Sequence, residues 1–170
     1  MMASRMARLR VPLGFFGGLL ALWLARPTWT SLAAGAAVAA VGEAIRFWAA
    51  GHLEKGREVT RSGPYRWTAH PLYFGSAVIA VGMVVAGRSV PLALLALAYL
   101  ALAVGGAIRS EEAELQAAFG REYADYRAGR AVEVRRRFSL ARAMRNREYR
   151  AVAGLVAVLI IFALKAGLVL

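Results

Sequence analysis

The sequence has no cysteine and only two histidines, His52 and His70. Disulfides, thiolate nucleophiles and cysteine metal sites are therefore excluded, and a histidine-rich metal centre has too few ligands to form. Acidic residues are scarce as well. Ten Asp and Glu stand against 22 Lys and Arg, a formal net charge of +12. In a soluble chain that surplus would point to nucleic acid. Here 59% of the residues are hydrophobic and mean hydropathy is +0.51, above the roughly half-apolar composition of soluble domains. The apolar residues form blocks separated by arginine-rich stretches, as in a polytopic membrane protein. The basic excess then fits anionic lipid headgroups and not nucleic acid. There is no internal repeat and no low-complexity tail.

Five apolar blocks can be read, at 11–25, 29–50, 71–87, 89–108 and 151–170. A helix needs about 20 residues to cross a ~30 Å hydrocarbon core. The fourth and fifth blocks meet that length, while the first and third need flanking residues or local thinning. The expected fold is an all-α transmembrane bundle of about five spans, one domain over residues 1–170. A signal sequence is disfavoured for the first block, because Trp23, Arg26 and Pro27 follow without a small-x-small cleavage pattern.

Basic residues set the expected orientation. Arg5, Arg8 and Arg10 precede the first block, and Arg26 stands alone before the second. Lys55, Arg57, Arg61 and Arg66 precede the third, and Arg88 stands alone before the fourth. Eleven arginines lie between Arg109 and Arg150. Rich and poor connections alternate, so the rich ones are expected in the cytoplasm, with the N-terminus inside and the C-terminus outside. Lys165 is expected to snorkel to the outer interface. The cysteine-free, alanine- and arginine-rich composition suits a bacterial plasma membrane. Arg26-Pro27-Thr28 and Gly87-Arg88-Ser89 read as tight turns between antiparallel helices.

Chemical variety is confined to two pieces, 51–70 and 109–150. In the first, Ser62-Gly63-Pro64-Tyr65 is turn chemistry. His70-Pro71 sets an imidazole just before a helix whose first-turn N–H groups favour an anion. In the second, Glu111 and Glu112 stand where the fourth span leaves the membrane. Leu115, Phe119 and Tyr123 recur every four residues, and Gly120 marks a helix break. Glu43 and Arg46 sit three apart near the end of the second block, as a functional pair or a self-neutralising structural one. His52 reads as a loop residue.

These pieces in order resemble the isoprenylcysteine carboxyl methyltransferase family, whose superfamily includes phospholipid N-methyltransferases. The resemblance rests on Gly63-Pro64-Tyr65-Arg66, on His70-Pro71-Leu72-Tyr73-Phe74-Gly75, on Glu111-Glu112 with Leu115, and on Phe119-Gly120-Arg121-Glu122-Tyr123 with Tyr126. Arg46-Phe47-Trp48-Ala49 resembles the approach to the first motif. In all it covers about residues 42–127. It implies S-adenosylmethionine bound in the cytoplasmic segments and a lipophilic methyl acceptor entering between helices. Catalytic roles are expected for His70, Glu111, Glu112 and Arg46. Cofactor contacts are expected from Gly63, Pro64, Tyr65, Arg66, His70, Pro71, Leu72, Tyr73, Glu111, Glu112, Phe119, Tyr123 and Tyr126, with no metal. Two departures stand out. The family's Arg before His-Pro is Ala69 here, and its later Val-Pro is replaced by Arg130-Ala131-Val132-Glu133-Val134.

The chemistry suits such a reaction. Methyl transfer is an in-line displacement that depends on alignment and exclusion of water. A carboxylate acceptor is already nucleophilic, whereas an amine must first be neutral, a task for Glu112 or His70. Carboxyl methylation of an isoprenylcysteine-like or other lipid acid is the favoured expectation, with phospholipid-amine methylation as the alternative. A nicotinamide-dependent sterol-type reductase and a non-enzymatic lipid-binding protein are the rival classes.

Overall fold

The structure is a computed structural model and describes residues 16–132 and 134–168. Arg5, Arg8, Arg10, the start of the first apolar block, Glu133 and the last two residues lie outside the described residues. All regular structure among the described residues is helical.

Residues 16–24 are helical (α1). α2 is Trp29–Ala50, opened by a capping box in which Thr28 and Ser31 bond each other's backbone N–H. α3 is Pro71–Gly87, with Pro71 in its first turn and Arg88 in the left-handed conformation at its end. α4, Val90–Tyr99, starts at the Ser89 cap with a proline in its first turn. It runs on through a π-helical stretch, Leu100–Val104, into α5, Gly105–Arg127. α6 is Leu140–Arg145 and α7 is Glu148–Leu168. The expected turns at Arg26–Thr28 and Gly87–Ser89 are both present. Among the described residues three helices are long and apolar enough to cross a membrane: α2, the continuous α4–α5 helix and α7. α3 is apolar but shorter, at 17 residues. The last span begins at Glu148, three residues before the expected Ala151.

α2 and α3 form the closest pair, because glycines let their backbones meet. A Cβ on Gly42 would lie 2.7 Å from the Gly75 carbonyl oxygen, and one on Gly82 would lie 2.6 Å from the Ala39 nitrogen. Small residues at helical spacing permit this approach, which lipid cannot drive through a hydrophobic effect. α7 packs on α2. The α4–α5 helix meets α3 near its start and is otherwise largely uncovered, with Leu94, Leu97 and Leu102 exposed. Such apolar exposure is what lipid contact would leave on the protein surface.

The helix ends sort into two groups. At one end Ala25, Ala86, Leu92 and Phe162 make a small core. The Arg26 N–H donates to the Gly87 carbonyl there. Lys165 Nζ donates to the carbonyls of Leu22 and Ala25, both at 2.6 Å. Lys165 thus caps the last carbonyls of α1, a use of the side chain beyond the expected snorkelling. The 51–70 and 109–150 pieces gather at the opposite end, and every candidate site residue except Arg46 lies in them or in the first turn of α3.

Candidate active site

The turn before α3 is built by Gly63, whose φ of 59° suits glycine. The His52 ring also leaves it no room for a side chain: a Cβ there would lie 2.5 Å from His52 Cδ2. Pro64 and Tyr65 are buried in a 3-10 turn, Gly63–Arg66. The Tyr126 hydroxyl donates to the Tyr65 carbonyl at 2.7 Å, so the end of α5 is tied to this turn.

His70 caps α3 through its backbone only. Its Nε2 lies 3.0 Å from Glu112 Oε1, and Arg127 Nη1 lies 3.0 Å from the same oxygen. The bond from His70, reinforced by the Arg127 charge, holds the Glu112 carboxyl below the usual carboxylate range. Arg127 had no expected role, yet it supplies a guanidinium beside a turn where Ala69 supplies none. His70 Nδ1 is buried without a hydrogen-bond partner, and its ring stacks at a tilt on Tyr73, 5.9 Å between centroids.

Glu111 differs from Glu112. It is half-buried, has no ion pair or hydrogen bond among the described residues, and lines a cleft. Tyr65, Ala69, Leu115, Tyr123 and Tyr126 line that cleft together with loop residues 53–56 and 58–60. It is narrow, about 50 Å³. Tyr123 is buried and its hydroxyl has no partner among the described residues. Burial, with Glu112 adding to it, pushes its phenol up, and burial pushes Tyr126 up to about 12. Burial, with Glu111 next, pushes Tyr65 further still. The three phenols therefore stay protonated and can donate.

The loop that lines the cleft is held by a segment in which no site residue was expected. Arg136 pairs with Glu58 at 2.7 Å, and Arg142 pairs with Glu54 at 2.7 Å. Arg142 also donates to the Gly51 carbonyl, and Asn146 to the Ala50 and Leu53 carbonyls left open at the end of α2. Phe138 packs against Phe47 and His52. Residues 136–146 thus form a strap over the loop. His52 is buried under it, with Nδ1 3.1 Å from Ser62 Oγ.

Arg46 lies in a separate cluster. Its Nε is 2.7 Å from Glu148 and 3.9 Å from Glu43, the first an ion pair without hydrogen-bond alignment. It also donates to Ser76 and to the Leu72 carbonyl. It joins α2, α3 and α7, and Glu148, absent from the sequence expectations, is its nearer partner. Pro71, Leu72 and Tyr73 build the first turn of α3 and do not line the cleft, nor do Gly63, Pro64, Arg66, His70 and Glu112; of the expected cofactor contacts, Tyr65, Glu111, Tyr123 and Tyr126 line it. Phe119 does not line it either; it directly precedes Gly120, whose φ of 44° and ψ of −112° break the helix as expected. The repeat linking Phe119 to Tyr123 therefore does not continue as one helical face.

No curated protein and no solved structure matched the chain. A model of the phospholipid methyltransferase family matches residues 28–122, more than half of the sequence, from the cap of α2 to the part of α5 just beyond Gly120. The strap and α7 follow the matched region. The helical bundle agrees with the fold that the resemblance implied, and the chain belongs to the phospholipid methyltransferase family of membrane methyltransferases.

Proposed function

We propose that this chain transfers a methyl group from S-adenosylmethionine to a lipophilic acceptor at the cytoplasmic face of a bacterial plasma membrane. The observation that carries the reading is Glu111: a half-buried carboxylate with no partner among the described residues, in a cleft lined by three tyrosines. The donor set fits the cofactor. Glu111 suits its sulfonium or ammonium, the rings of Tyr65, Tyr123 and Tyr126 suit its adenine, and the Tyr123 hydroxyl, which has no partner among the described residues, suits a polar group; His70, adjacent to the lining residue Ala69, acts from beside the cleft. At about 50 Å³ the cleft must widen to admit it, with the loop and α5 as the walls that part.

When bound, the cofactor supplies an electrophilic methyl group. The chain aligns and shields it. Glu112 is held by His70 and Arg127, so it positions the imidazole, and Glu111 is the carboxylate left to face a cation. Carboxyl methylation remains the favoured chemistry, since a carboxylate acceptor needs no base and Glu112 is already occupied. An amine acceptor would lose its reaction rate as pH falls below the amine's own pKa, while a carboxylate would not, and this separates the two. The alternating arginine content of the connections supports the cytoplasmic assignment.

Calorimetric binding of S-adenosylmethionine to the protein in nanodiscs tests the reading. Saturable binding is expected, with loss in Glu111→Ala and His70→Ala. Folded variants that both keep wild-type affinity would defeat it.

A further inference from the structure

The strap has two faces, and its hold on the loop uses only one. On α6, Arg142 and Asn146 turn toward the loop and the end of α2, and Ala143 is buried between them. Leu140, Ala141, Met144 and Arg145 are exposed. The two sets alternate at helical spacing, so α6 is amphipathic, with an outer face that mixes apolar and cationic side chains. Exposed arginines flank it, Arg135 and Arg137 before, Arg147 and Arg150 after. Residues 134–150 hold seven arginines and one acid, Glu148, and that acid is buried beside Arg46.

The neighbouring helices set the depth of this face. α6 ends at Arg145, and α7, long and apolar enough to span, begins at Glu148. Asn146 bonds the Ala50 and Leu53 carbonyls, which puts the strap level with the end of α2 as well. Two spans end here, so the outer face of α6 lies at headgroup depth. Tyr149 is exposed, with the Arg150 guanidinium 5.9 Å from its ring centre, a composition suited to that interface. Docking the strap also gathers like charges. Arg136 and Arg142 have Glu58 and Glu54, but Arg145 reaches only to 3.5 Å from the Glu54 oxygen that Arg142 already holds. Crowded arginines repel, and an anionic surface relieves that repulsion, each basic residue strengthening attachment about five-fold. Six residues are too few to hold a helix alone. The outer face therefore exists as a face only while the inner one is fastened, and whatever binds it favours the fastened state.

We propose that the outer face of the strap binds the anionic headgroups of the surrounding bilayer, and that this contact fastens the loop lining the cleft. The lipid is a regulator here and not the methyl acceptor, since it lies on the opposite face of α6 from the loop. Exposed Leu140 and Met144 add an apolar contact that a bilayer meets and a dissolved anion does not. The effect on S-adenosylmethionine rests on the proposed methyltransferase reading; the contact and its hold on the loop do not.

The test places the full chain in nanodiscs of phosphatidylcholine alone or of equal parts phosphatidylcholine and phosphatidylglycerol. Amide hydrogen exchange is followed over residues 51–60, without cofactor. Exchange is expected to slow at least about three-fold in the anionic nanodiscs, and salt at about 0.5 M is expected to erase the difference between the two. Arg147→Asn with Arg150→Gln removes two exposed charges, and Asn suits the left-handed backbone at Arg147, where φ is 61°. Leu140→Glu puts a carboxylate on the outer face. Both variants are expected to lose the lipid response, while Arg109→Gln, at an exposed position of α5 outside the strap, keeps it. If a variant fails to fold, the wild-type lipid and salt comparisons still decide. Equal exchange in the two nanodiscs, or an intact response in both strap variants, would overturn the proposal. So would the same slowing by inorganic phosphate in phosphatidylcholine nanodiscs, which would make this a free-anion site. S-adenosylmethionine, titrated in the same nanodiscs, is expected to bind at least about three-fold tighter in the anionic ones; equal affinity in the two would overturn the control of the cleft. If exchange responds to the lipid but S-adenosylmethionine binds in neither nanodisc, the lipid contact stands and the methyltransferase reading fails.

Discussion

Replacing Arg142 by alanine removes the main fastening between the strap and the loop that walls the cleft. Two charge-assisted bonds are lost, to the Glu54 carboxylate at 2.7 Å and to the Gly51 carbonyl at 2.6 Å. Each such bond contributes about 1.5–3 kcal/mol net. The side chains of Arg142 and Glu54 are 14% and 19% exposed, so water recovers part of the loss. Arg145 lies 3.5 Å from the same Glu54 oxygen but is 61% exposed, and an exposed pair returns at most about 1 kcal/mol. The expected net loss is about 2–3 kcal/mol, or about 5–10 °C in midpoint for a chain of this size. On the proposed function, a loop that spends part of its time unfastened also lowers the apparent affinity for S-adenosylmethionine, by about three- to ten-fold. The assay is thermal unfolding in detergent at one scan rate, with calorimetric titration of the cofactor. Arg137→Ala is the control, an exposed neighbour whose side chain has no partner among the described residues. Arg142→Lys keeps the charge but not the guanidinium fork and should fall between. If Arg142→Ala matches Arg137→Ala in both midpoint and affinity, the strap does not hold the cleft.

Three further outcomes are expected. The Glu112 carboxyl is held low by His70 and Arg127, so its stabilisation is complete above the unfolded value of about 4.3 and is lost as pH falls through the depressed folded one; Arg127→Ala should move acid unfolding, followed by circular dichroism, to higher pH. His52 is pushed down by burial and by the facing charges of Arg142 and Arg136, so its contribution is complete above about pH 6.5 and is lost as pH falls toward the depressed value; His52→Asn should flatten the fall in midpoint between pH 7 and 5, and an unchanged slope would assign that fall to another group. Gly42→Val forces α2 and α3 apart at the Gly75 carbonyl and should cost at least the roughly 1–3 kcal/mol of an overpacked core, whereas Gly154→Ala, which meets nothing within 4 Å, should leave the midpoint unchanged.

How much of this was legible beforehand depends on the range of the interaction. The bounds of α2 and α3 follow from local chemistry: Thr28 and Pro71 start them, and the apolar runs end at Gly51 and Arg88. The His-Pro turn, the Gly120 break and the paired glutamates were visible as short patterns. What each glutamate does was not. Glu111 and Glu112 are adjacent in sequence, yet one is tied to His70 and Arg127 and the other faces the cleft. Glu54 and Arg142, or Arg46 and Glu148, are far apart in a chain with twenty-two basic residues, and no periodicity tells which of them meets which acid.

The sequence by itself determined an all-helical membrane protein, its main apolar blocks, its family and the two polar pieces that lie between them. Those properties depend on composition and short-range spacing, which each segment carries alone. Tertiary structure decided the rest: the strap beyond the family match, the tie of Glu112 to His70 and Arg127, and the cleft that Glu111 lines with three tyrosines. The physical reason is that each of these joins side chains from distant segments, and none exists until the helices bring those segments to one end of the bundle.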